Sequence, residues 1–271
     1  MPELPEVETT RRGIAPHIEG NTISKVIVRN RSLRWPIPTG LNKKLSHLNI
    51  NSVVRRAKYL LLNTDVGTLI IHLGMSGSLR ILKIDEAVEK HDHFELQFEN
   101  GICLRLRDPR RFGCVLFHKG NVLEHKLLIN LGPEPLDEAF NSELLFQKSR
   151  KRKTSIKQLI MDAKIVVGVG NIYASEALFL AKIKPKRLAG KITKQNSENL
   201  SKAIKTILTK AIKQGGTTLK DFRSSDGKPG YFQQKLKVYG RENEPCTICS
   251  KPIKQITLGQ RSTYYCTSCQ K

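Results

Sequence analysis

Four cysteines near the end of the chain constrain its fold most strongly. Two Cys-x2-Cys pairs are separated by sixteen residues, and their members are Cys246, Cys249, Cys266 and Cys269. Two-residue spacers let paired thiolates hold one ion, and the span between the pairs is long enough for a β-hairpin. Disulfides are the alternative, but a cytosolic thiol pool would keep these thiols reduced. The spacing predicts one structural Zn²⁺, because four protein ligands complete its coordination.

The net charge indicates the kind of partner that the chain binds. Lysine and arginine number 47 against 24 aspartates and glutamates, which gives a formal net charge of +23. Such an excess repels itself, and a long polyphosphate is the commonest partner that neutralises it. Basic residues are concentrated between Lys182 and Lys213 and again between Arg150 and Lys157. The charge favours a nucleic acid over an anionic membrane, or over a basic protein without such a partner.

Length and hydropathy limit the organisation of the chain. Its 271 residues allow about two domains, at ~150 residues per domain. No apolar stretch approaches the ~18–20 residues that a transmembrane helix requires. Residues 1–8 have neither the basic nor the apolar region of a secretory signal. We therefore expect no membrane partner and a cytoplasmic location.

The first part of the chain predicts mostly β-sheet behind a short helix. The helix is expected over residues 5–15, with Pro16 at its end. Apolar or β-branched runs predict strands within residues 23–28, 53–62, 68–73 and 112–118. The clearest hairpin covers residues 94–106, where apolar residues alternate on both arms and Asn100-Gly101 predicts a type I′ turn.

Beyond a predicted linker at residues 131–138, the apolar spacing becomes helical. The strongest helix is expected from Glu198 to Gln214, where apolar residues recur along one stripe and Gly215 follows the last turn. The glycine-rich residues 215–231 predict a loop before the zinc hairpin. The whole pattern predicts an α+β protein.

The turn from Gly168 to Asn171 precedes a predicted helix and is a candidate phosphate site. A helix start opened by glycine presents backbone N–H groups and the positive end of the helix dipole to an anion. Many helices begin this way for packing reasons alone, but the basic cluster from Arg150 to Lys157 supports a backbone clamp here. Such a clamp would hold DNA without reading its sequence.

The N-terminus holds a candidate nucleophile. Removal of Met1 would expose the secondary amine of Pro2, and an α-amino group titrates near ~8, so that a fraction is unprotonated at neutral pH. Glu3 and Glu6 are nearby acids or bases. Taken alone, these residues favour the alternative, an acidic tail that caps a helix in solvent.

Several motifs occur in order along the whole chain. They are MPELPEVETTRRG at the start, RRAKYLLL at 55–62, HLGMSGSLR at 72–80, DPRRFG at 108–113, VGVGNIYASEALF at 167–179, QGGTTLKDF at 214–222 and QRSTYYC in the cysteine hairpin. Together they resemble the bacterial formamidopyrimidine-DNA glycosylases from end to end. The resemblance implies an N-terminal β-sandwich domain (1–133), a helix-two-turn-helix domain (134–222) and a zinc-finger part (223–271). It also implies a monomer that acts on double-stranded DNA containing a damaged base or an abasic site.

The resemblance implies a bifunctional chemistry, the excision of oxidised purines followed by cleavage of the abasic strand. Pro2 would attack C1′ and form a Schiff base, and Glu3 would be the acid that helps the sugar ring open. Lys58 would donate a proton while it holds a phosphate, although by itself it is only a polar strand residue. Arg261, inside the zinc hairpin, would donate in the δ-elimination step.

The resemblance also assigns DNA contacts. A glycosylase must extrude the target nucleotide at a cost of a few kcal/mol, and side chains then fill the gap. Three residues match that role here: Met75, Phe112 and Arg110, the last facing the orphaned cytosine. Individually they fit a core position or, for Arg110, an ion pair with Asp108. Phosphate contacts are implied for His91, Arg152, Lys157, Asn171 and Arg261.

Two alternatives stay open. The endonuclease VIII type, which removes oxidised pyrimidines, shares the proline and the zinc finger but typically begins MPEGPE, whereas this chain has Leu4 and intact DPRRFG and TTLKDF segments. A non-enzymatic zinc protein that binds DNA would explain the charge and the cysteines. It would not explain Pro2, Glu3 or Lys58.

Overall fold

The computed structural model describes residues 2–215 and 236–271. The described backbone forms two compact units, one of residues 2–129 with 214–215 and one of residues 130–213 with 236–271. The predicted loop at 215–231 lies outside the described residues except at its first position. The division into three domains at 133 and 222 stays a prediction.

The first unit consists of two antiparallel sheets and a leading helix. Helix α1 (Leu4–Ile18) precedes strands β1 (Ile23–Val28), β2 (Ser52–Arg56), β3 (Tyr59–Thr64), β4 (Gly67–His72), β5 (Ser78–Lys83), β6 (Asp92–Phe98), β7 (Ile102–Arg107) and β8 (Cys114–His118), with the short helix α2 (Leu41–Leu45) between β1 and β2. One sheet has the order β1-β6-β7-β5 and the other β2-β3-β4-β8. Apolar residues from both sheets and from α1 share one core, so the predicted β-sheet region is confirmed.

The predicted hairpin is confirmed, but its turn type is wrong. Phe94, Phe98 and Leu104 are fully buried, as the alternation requires. The strands end at Phe98 and resume at Ile102, and only Gly101 in the intervening loop has a positive φ, +81°. A type I′ turn needs positive φ at two central residues, so the chain uses a three-residue loop with glycine in the left-handed position instead.

Helix α1 is longer than expected. Pro16 lies inside its last turn, and the helix continues to Ile18, whose side chain is fully buried. A proline removes only one intrahelical hydrogen bond near a helix end, and burial of Ile18 in the core offsets that loss.

The second unit combines four helices with the C-terminal hairpin. Its elements are α3 (Ser142–Ser149), α4 (Ile156–Met161), α5 (Asn171–Leu180), α6 (Lys194–Lys213), β9 (Lys254–Leu258) and β10 (Arg261–Tyr265). The predicted stripe of α6 packs inward, with Leu200, Ile204 and Leu208 at most 1% exposed. Gly215 follows the helix with a φ of +78°. Sheets first, helices after them and a two-stranded cysteine hairpin at the end confirm the predicted α+β class.

Among the helices of residues 2–215 and 236–271, none combines the length and the apolar character needed to cross a bilayer.

Candidate nucleic-acid interface and zinc centre

The four cysteines form one compact cluster in the C-terminal hairpin. Their Sγ atoms lie within 4.8 Å of one another, with 3.9 Å between Cys246 and Cys269 and 3.5 Å between Cys249 and Cys266. Four sulfurs bound at ~2.3 Å to one tetrahedral ion stand about 3.8 Å apart, whereas a disulfide brings two sulfurs to ~2.05 Å. The cluster fits one structural Zn²⁺, as predicted, and it excludes the disulfide alternative.

Hydrogen bonds around the cysteines orient the cluster. The backbone N–H groups of Ile248 and Cys269 point at the sulfurs of Cys246 and Cys266, at 3.5 and 3.4 Å. Gln270, which is fully buried, accepts from the N–H of Cys266 at 2.9 Å and donates to the carbonyl of Ile183 at 2.8 Å. These outer contacts attach the metal site to the segment that follows α5.

Lys157 lies at the junction of α4, α5 and the hairpin. It is only 1% exposed, and its Nζ donates to Oδ1 of Asn171 at 2.6 Å and to Oγ1 of Thr263 at 2.7 Å. A third bond reaches the carbonyl of Ser262 at 3.2 Å, which also accepts from Nδ2 of Asn171 at 3.0 Å. The structure thus brings together two residues that the resemblance assigns to phosphate contacts.

A second buried group holds the chain where it enters the hairpin segment. The carboxylate of Glu176, on α5, accepts backbone N–H groups of Lys237, Val238 and Tyr239, each at 2.9 Å. The ring of Tyr239 packs edge-on against Tyr264 at 5.1 Å between centroids. Three N–H donors on one carboxylate leave little freedom to this part of the backbone.

The other predicted contacts of this unit lie at its surface. Arg152 precedes α4 and is exposed, while Asn171 is the first residue of α5 and is half-buried. Arg261 is exposed at the start of β10. Gly168, with a φ of +79°, allows the tight turn before α5 that the sequence predicts.

In the first unit, the N-terminal residues are buried and not a solvated tail. Pro2 is buried, and Glu3 and Glu6 are 1% and 0% exposed. The N–H of Glu3 donates to Oε2 of Glu6 at 2.8 Å. An acidic tail that merely caps a helix in solvent does not describe this arrangement.

Lys58 occupies the tip of the β2–β3 hairpin, and α1 holds that hairpin in place. The carboxylate of Glu8 on α1 binds Arg55 at 3.2 Å, and Arg55 donates to the carbonyl of Ala57 at 2.9 Å. Burial alone would raise the pKa of Glu8, but hydrogen bonds from Arg11 and neighbouring arginines outweigh it and lower that pKa. Helix α1 therefore carries a negative charge at Glu8 that orders the turn before Lys58.

His72, at the end of β4, is a feature that the sequence did not single out. Its Nδ1 accepts the N–H of Gly74 at 2.9 Å, so the proton of the neutral ring is assigned to Nε2. Burial, together with the positive charges of Lys58 and Arg34, lowers the pKa of His72 to about 4. The ring therefore stays neutral at pH 7 and offers a donor beside a lysine.

Two loops carry the three predicted gap-filling residues, and they are hydrogen-bonded to each other. Asp108 accepts from Ser76 at 2.9 Å and from the N–H of Gly113 at 2.7 Å, and Ser76 in turn accepts from the N–H of Arg110 at 3.2 Å. Met75, which precedes Ser76, is half-buried. Asp108 therefore organises the loop, and the alternative in which it simply pairs with the guanidinium of Arg110 is wrong.

At the tip of this loop the side chains point outward. Phe112 is 44% exposed, and the guanidinium of Arg110 lies over its ring, 4.8 Å from the centroid. The core alternative for Phe112 is therefore wrong. His91, half-buried with a φ of +78°, lies beside the same loop, because its carbonyl accepts the N–H of Asp108 at 3.0 Å.

Sequence reasoning missed the residues that hold these sites. Glu176 had a signal, a lone acid inside an otherwise apolar helix, and Asp108 had one in the turn DPRRFG. The role of Gln270 depends on a contact with Ile183, far away in sequence, and no local pattern reveals it.

Three family models match successive parts of the chain. The formamidopyrimidine-DNA glycosylase N-terminal domain matches residues 1–115, the H2TH domain of the same glycosylase matches 131–223, and a zinc finger found in FPG and IleRS matches 243–271. With the sheets, helices and cysteine hairpin described above, these matches define the class: a zinc-finger DNA glycosylase.

Relatives and solved structures agree over the full length. Formamidopyrimidine-DNA glycosylases of Hydrogenovibrio crunogenus and Saccharophagus degradans are 59% and 58% identical over 271 residues, all of this chain and 97% and 100% of theirs. The Lactococcus lactis enzyme, solved in a complex with DNA containing N7-benzyl-Fapy-dG, is 36% identical with a TM-score of 0.92 and complete coverage of both chains. The Thermus thermophilus protein is 37% identical with a TM-score of 0.89, over 99% of this chain and 98% of that one. The chain belongs to the formamidopyrimidine-DNA glycosylase family.

The lowered pKa of the half-buried His72 predicts a loss of stability in mild acid. The unfolded chain binds its proton near pH 6.5, and the folded chain only near pH 4. The free energy of unfolding should therefore fall from pH 6.5 to pH 4, by up to about 3 kcal/mol from this group. Urea unfolding between pH 7.5 and 4.5 measures it, with His72→Asn as the control that keeps an acceptor for Gly74 but does not titrate. An equally steep decline in both proteins would contradict the assignment.

The zinc site predicts that Cys249→Ser loses the metal and with it DNA binding. A structural Zn²⁺ contributes roughly 10 kcal/mol to folding of such a hairpin. We expect zinc content to fall from one ion per chain towards zero, measured by dye after protein digestion, and duplex affinity to be lost in a shift assay. Cys103→Ala, a buried cysteine outside the cluster, is the control and should keep both. Unchanged zinc and binding in Cys249→Ser would refute the site.

The contact between the two gap-filling loops predicts a strong effect of Gly74→Ala. A Cβ at Gly74, whose φ is +62°, would stand 2.4 Å from the carbonyl carbon of Phe112. We expect the free energy of unfolding to fall by about 3 kcal/mol. Gly101→Ala is the control, because its φ is also positive but nothing lies within 4 Å. Equal losses in both variants would show that backbone strain alone, and no contact between the loops, is responsible.

Proposed function

We propose that the chain is a bifunctional DNA glycosylase and abasic-site lyase of base excision repair, which removes oxidised purines and then cleaves the strand. The observation that carries the proposal is the buried start of α1, where Pro2 and Glu3 are held in place instead of forming a solvated tail. Relatives named formamidopyrimidine-DNA glycosylase share 59% and 58% identity with the whole chain. Neighbouring structures from Lactococcus lactis hold Fapy-dG or abasic-site DNA.

The first chemical step is attack by the Pro2 nitrogen on C1′ of the damaged nucleotide. The new N–C1′ bond forms as the bond between C1′ and the base breaks, and the base leaves with its electron pair and a proton. An α-amino group with a pKa near ~8 is partly unprotonated at neutral pH. Glu3 gives a proton to the ring oxygen O4′ as the sugar opens to the iminium.

Strand cleavage follows from the Schiff base. Loss of a C2′ proton expels the 3′ phosphate by β-elimination, and a second elimination expels the 5′ phosphate. Lys58 serves as proton donor and phosphate ligand in the first step, and Arg261 as donor in the second. Both are cationic groups on hairpin tips, Lys58 between β2 and β3 and Arg261 at the start of β10.

The DNA is held by phosphate contacts and by the gap-filling side chains. Phe112 enters the stack, Met75 adapts to the space, and Arg110 donates to the orphaned base. His91, Arg152, Asn171 and Arg261 bind phosphates of the duplex, and Lys157 serves the same phosphate site from its buried position. We propose that one copy of the chain does this work as a monomer.

Oxidised pyrimidines are the substrates of the alternative, the endonuclease VIII type. The names of the full-length relatives and the family models of residues 1–115 and 131–223 favour the purine enzyme.

Borohydride trapping tests the proposal. Reduction should fix a covalent adduct with abasic and 8-oxoguanine duplexes, and much less with a thymine-glycol duplex, because only an excised base exposes C1′ to the amine. Peptide mapping should place the adduct on Pro2, and Pro2→Gly should reduce it. Absence of an adduct, or an adduct mapped elsewhere, would refute the chemistry, and preference for thymine glycol would favour the alternative.

The Glu3→Gln variant tests the acid function of Glu3 separately from the nucleophilic amine of Pro2. It keeps the nucleophile, so trapping on an abasic duplex should persist, whereas excision of 8-oxoguanine should fall by roughly 100-fold. Lys25→Gln, an exposed residue on β1, should leave both unchanged.

A further inference from the structure

We propose that Lys157 is a positioning residue that acts on DNA through Asn171 and the hairpin turn at Arg261, and does not itself touch a phosphate. The proposal deepens the proposed function and rests on it. It assigns a task to a lysine that is 1% exposed, whereas the two arginines predicted to bind phosphates in the same unit, Arg152 and Arg261, are exposed.

Lys157 fixes the orientation of the Asn171 amide. Its Oδ1 accepts from Nζ of Lys157 at 2.6 Å, and one proton of its Nδ2 is donated to the carbonyl of Ser262 at 3.0 Å. An amide nitrogen carries two protons, so one N–H remains for a further acceptor. Because an ammonium only donates, Lys157 rules out the flipped amide, which would present Oδ1 to a phosphate and repel it.

Lys157 also holds the backbone beside Arg261. Lys157 donates to Oγ1 of Thr263 at 2.7 Å and to the carbonyl of Ser262 at 3.2 Å. Thr263, fully buried, donates in turn to the carbonyl of Arg261 at 3.1 Å. The backbone on which Arg261 stands is therefore bound, directly or through one hydroxyl, to a single ammonium.

Helix α4, which carries Lys157, also packs closely against the hairpin turn. A Cβ at Gly259 would stand 2.6 Å from Nε2 of Gln158, the residue that follows Lys157 on α4. The hairpin is thus in contact with α4 at its tip and at Ser262–Thr263. Loss of the ammonium would leave the buried Oγ1 of Thr263 and the part-buried Oδ1 of Asn171 without this donor, and the turn would shift to satisfy them.

The experiment compares Lys157→Met with Arg152→Gln, the removal of an exposed cation in the same unit. A direct phosphate ligand contributes about 1 to the slope of log affinity against log salt concentration. We expect Arg152→Gln to reduce that slope by about 1, and Lys157→Met to leave it unchanged while it weakens binding to a tetrahydrofuran-containing duplex about tenfold. In an Asn171→Ala background, Lys157→Met should cause little further loss of affinity.

Product analysis on an abasic duplex reads the effect at Arg261. Lys157→Met should raise the ratio of β-elimination to δ-elimination product, while Lys25→Gln, at the exposed position on β1, should leave that ratio as in the wild type. Thr263→Val keeps both the lysine and Asn171, so it should raise the ratio without changing the salt slope. Equal zinc content and thermal midpoints identify folded variants, and Thr263→Val supplies the test if Lys157→Met does not fold.

The outcomes are separable. A slope reduced by about 1 in Lys157→Met, or losses that add to that of Asn171→Ala, would make Lys157 a direct ligand and overturn the proposal. An unchanged product ratio in Thr263→Val would overturn the part of the proposal in which Lys157 holds Arg261 through Thr263. Failure of the wild type to prefer the tetrahydrofuran duplex, or to cleave an abasic strand, would instead refute the proposed function.

Discussion

The C-terminal hairpin of the second unit depends on the closure of one metal site by four thiolates. The cluster around them is small, with Val238, Ile253 and Phe179 as its buried apolar members beside the cysteines. So little apolar surface cannot order a hairpin by burial alone, because fixing each residue costs about 1–2 kcal/mol of conformational entropy. The metal supplies the missing free energy, and Gln270 and Glu176 transfer its rigidity to α5 and the segment after it. Arg261, which is exposed at the tip of this hairpin, therefore stands on an ordered backbone.

In the first unit, hydrogen bonds and close backbone packing order the exposed loops that the structure describes. Its exposed loops are ordered by one buried carboxylate, Asp108, and by close backbone contact at Gly74. The Lys58 turn is ordered in a similar way by Glu8, through Arg55. In each case a buried acid fixes a loop that carries a basic or aromatic side chain. Buried polar groups of this kind contribute mainly to orientation, since desolvation offsets most of their gain in stability.

Sequence reasoning succeeded where a pattern is local. The cysteine spacing, the alternation around Phe94 and the stripe on α6 each report a period or a ligand distance, and the structure confirms them. The predicted type I′ turn at Asn100-Gly101 was wrong, because the dipeptide is compatible with two loop types and the strand register decides between them. The burial of Lys157 could not be predicted either. Three acceptors of its ammonium group lie on Asn171 and on residues more than one hundred positions away.

The difference between the buried Lys157 and the exposed arginines matters for the interpretation of a strongly basic chain. A charge of +23 draws the molecule to a polyanion, but attraction over a surface does not require any one geometry. Geometry comes from neutral or internally bonded groups: the neutral ring of His72, the oriented amide of Asn171 and the enclosed ammonium of Lys157. Counting cations along the sequence therefore locates the surface that meets DNA. The side chains that align the chemistry on that surface are found from burial and hydrogen bonding, and the ammonium of Lys157 belongs with them although its charge suggests the opposite.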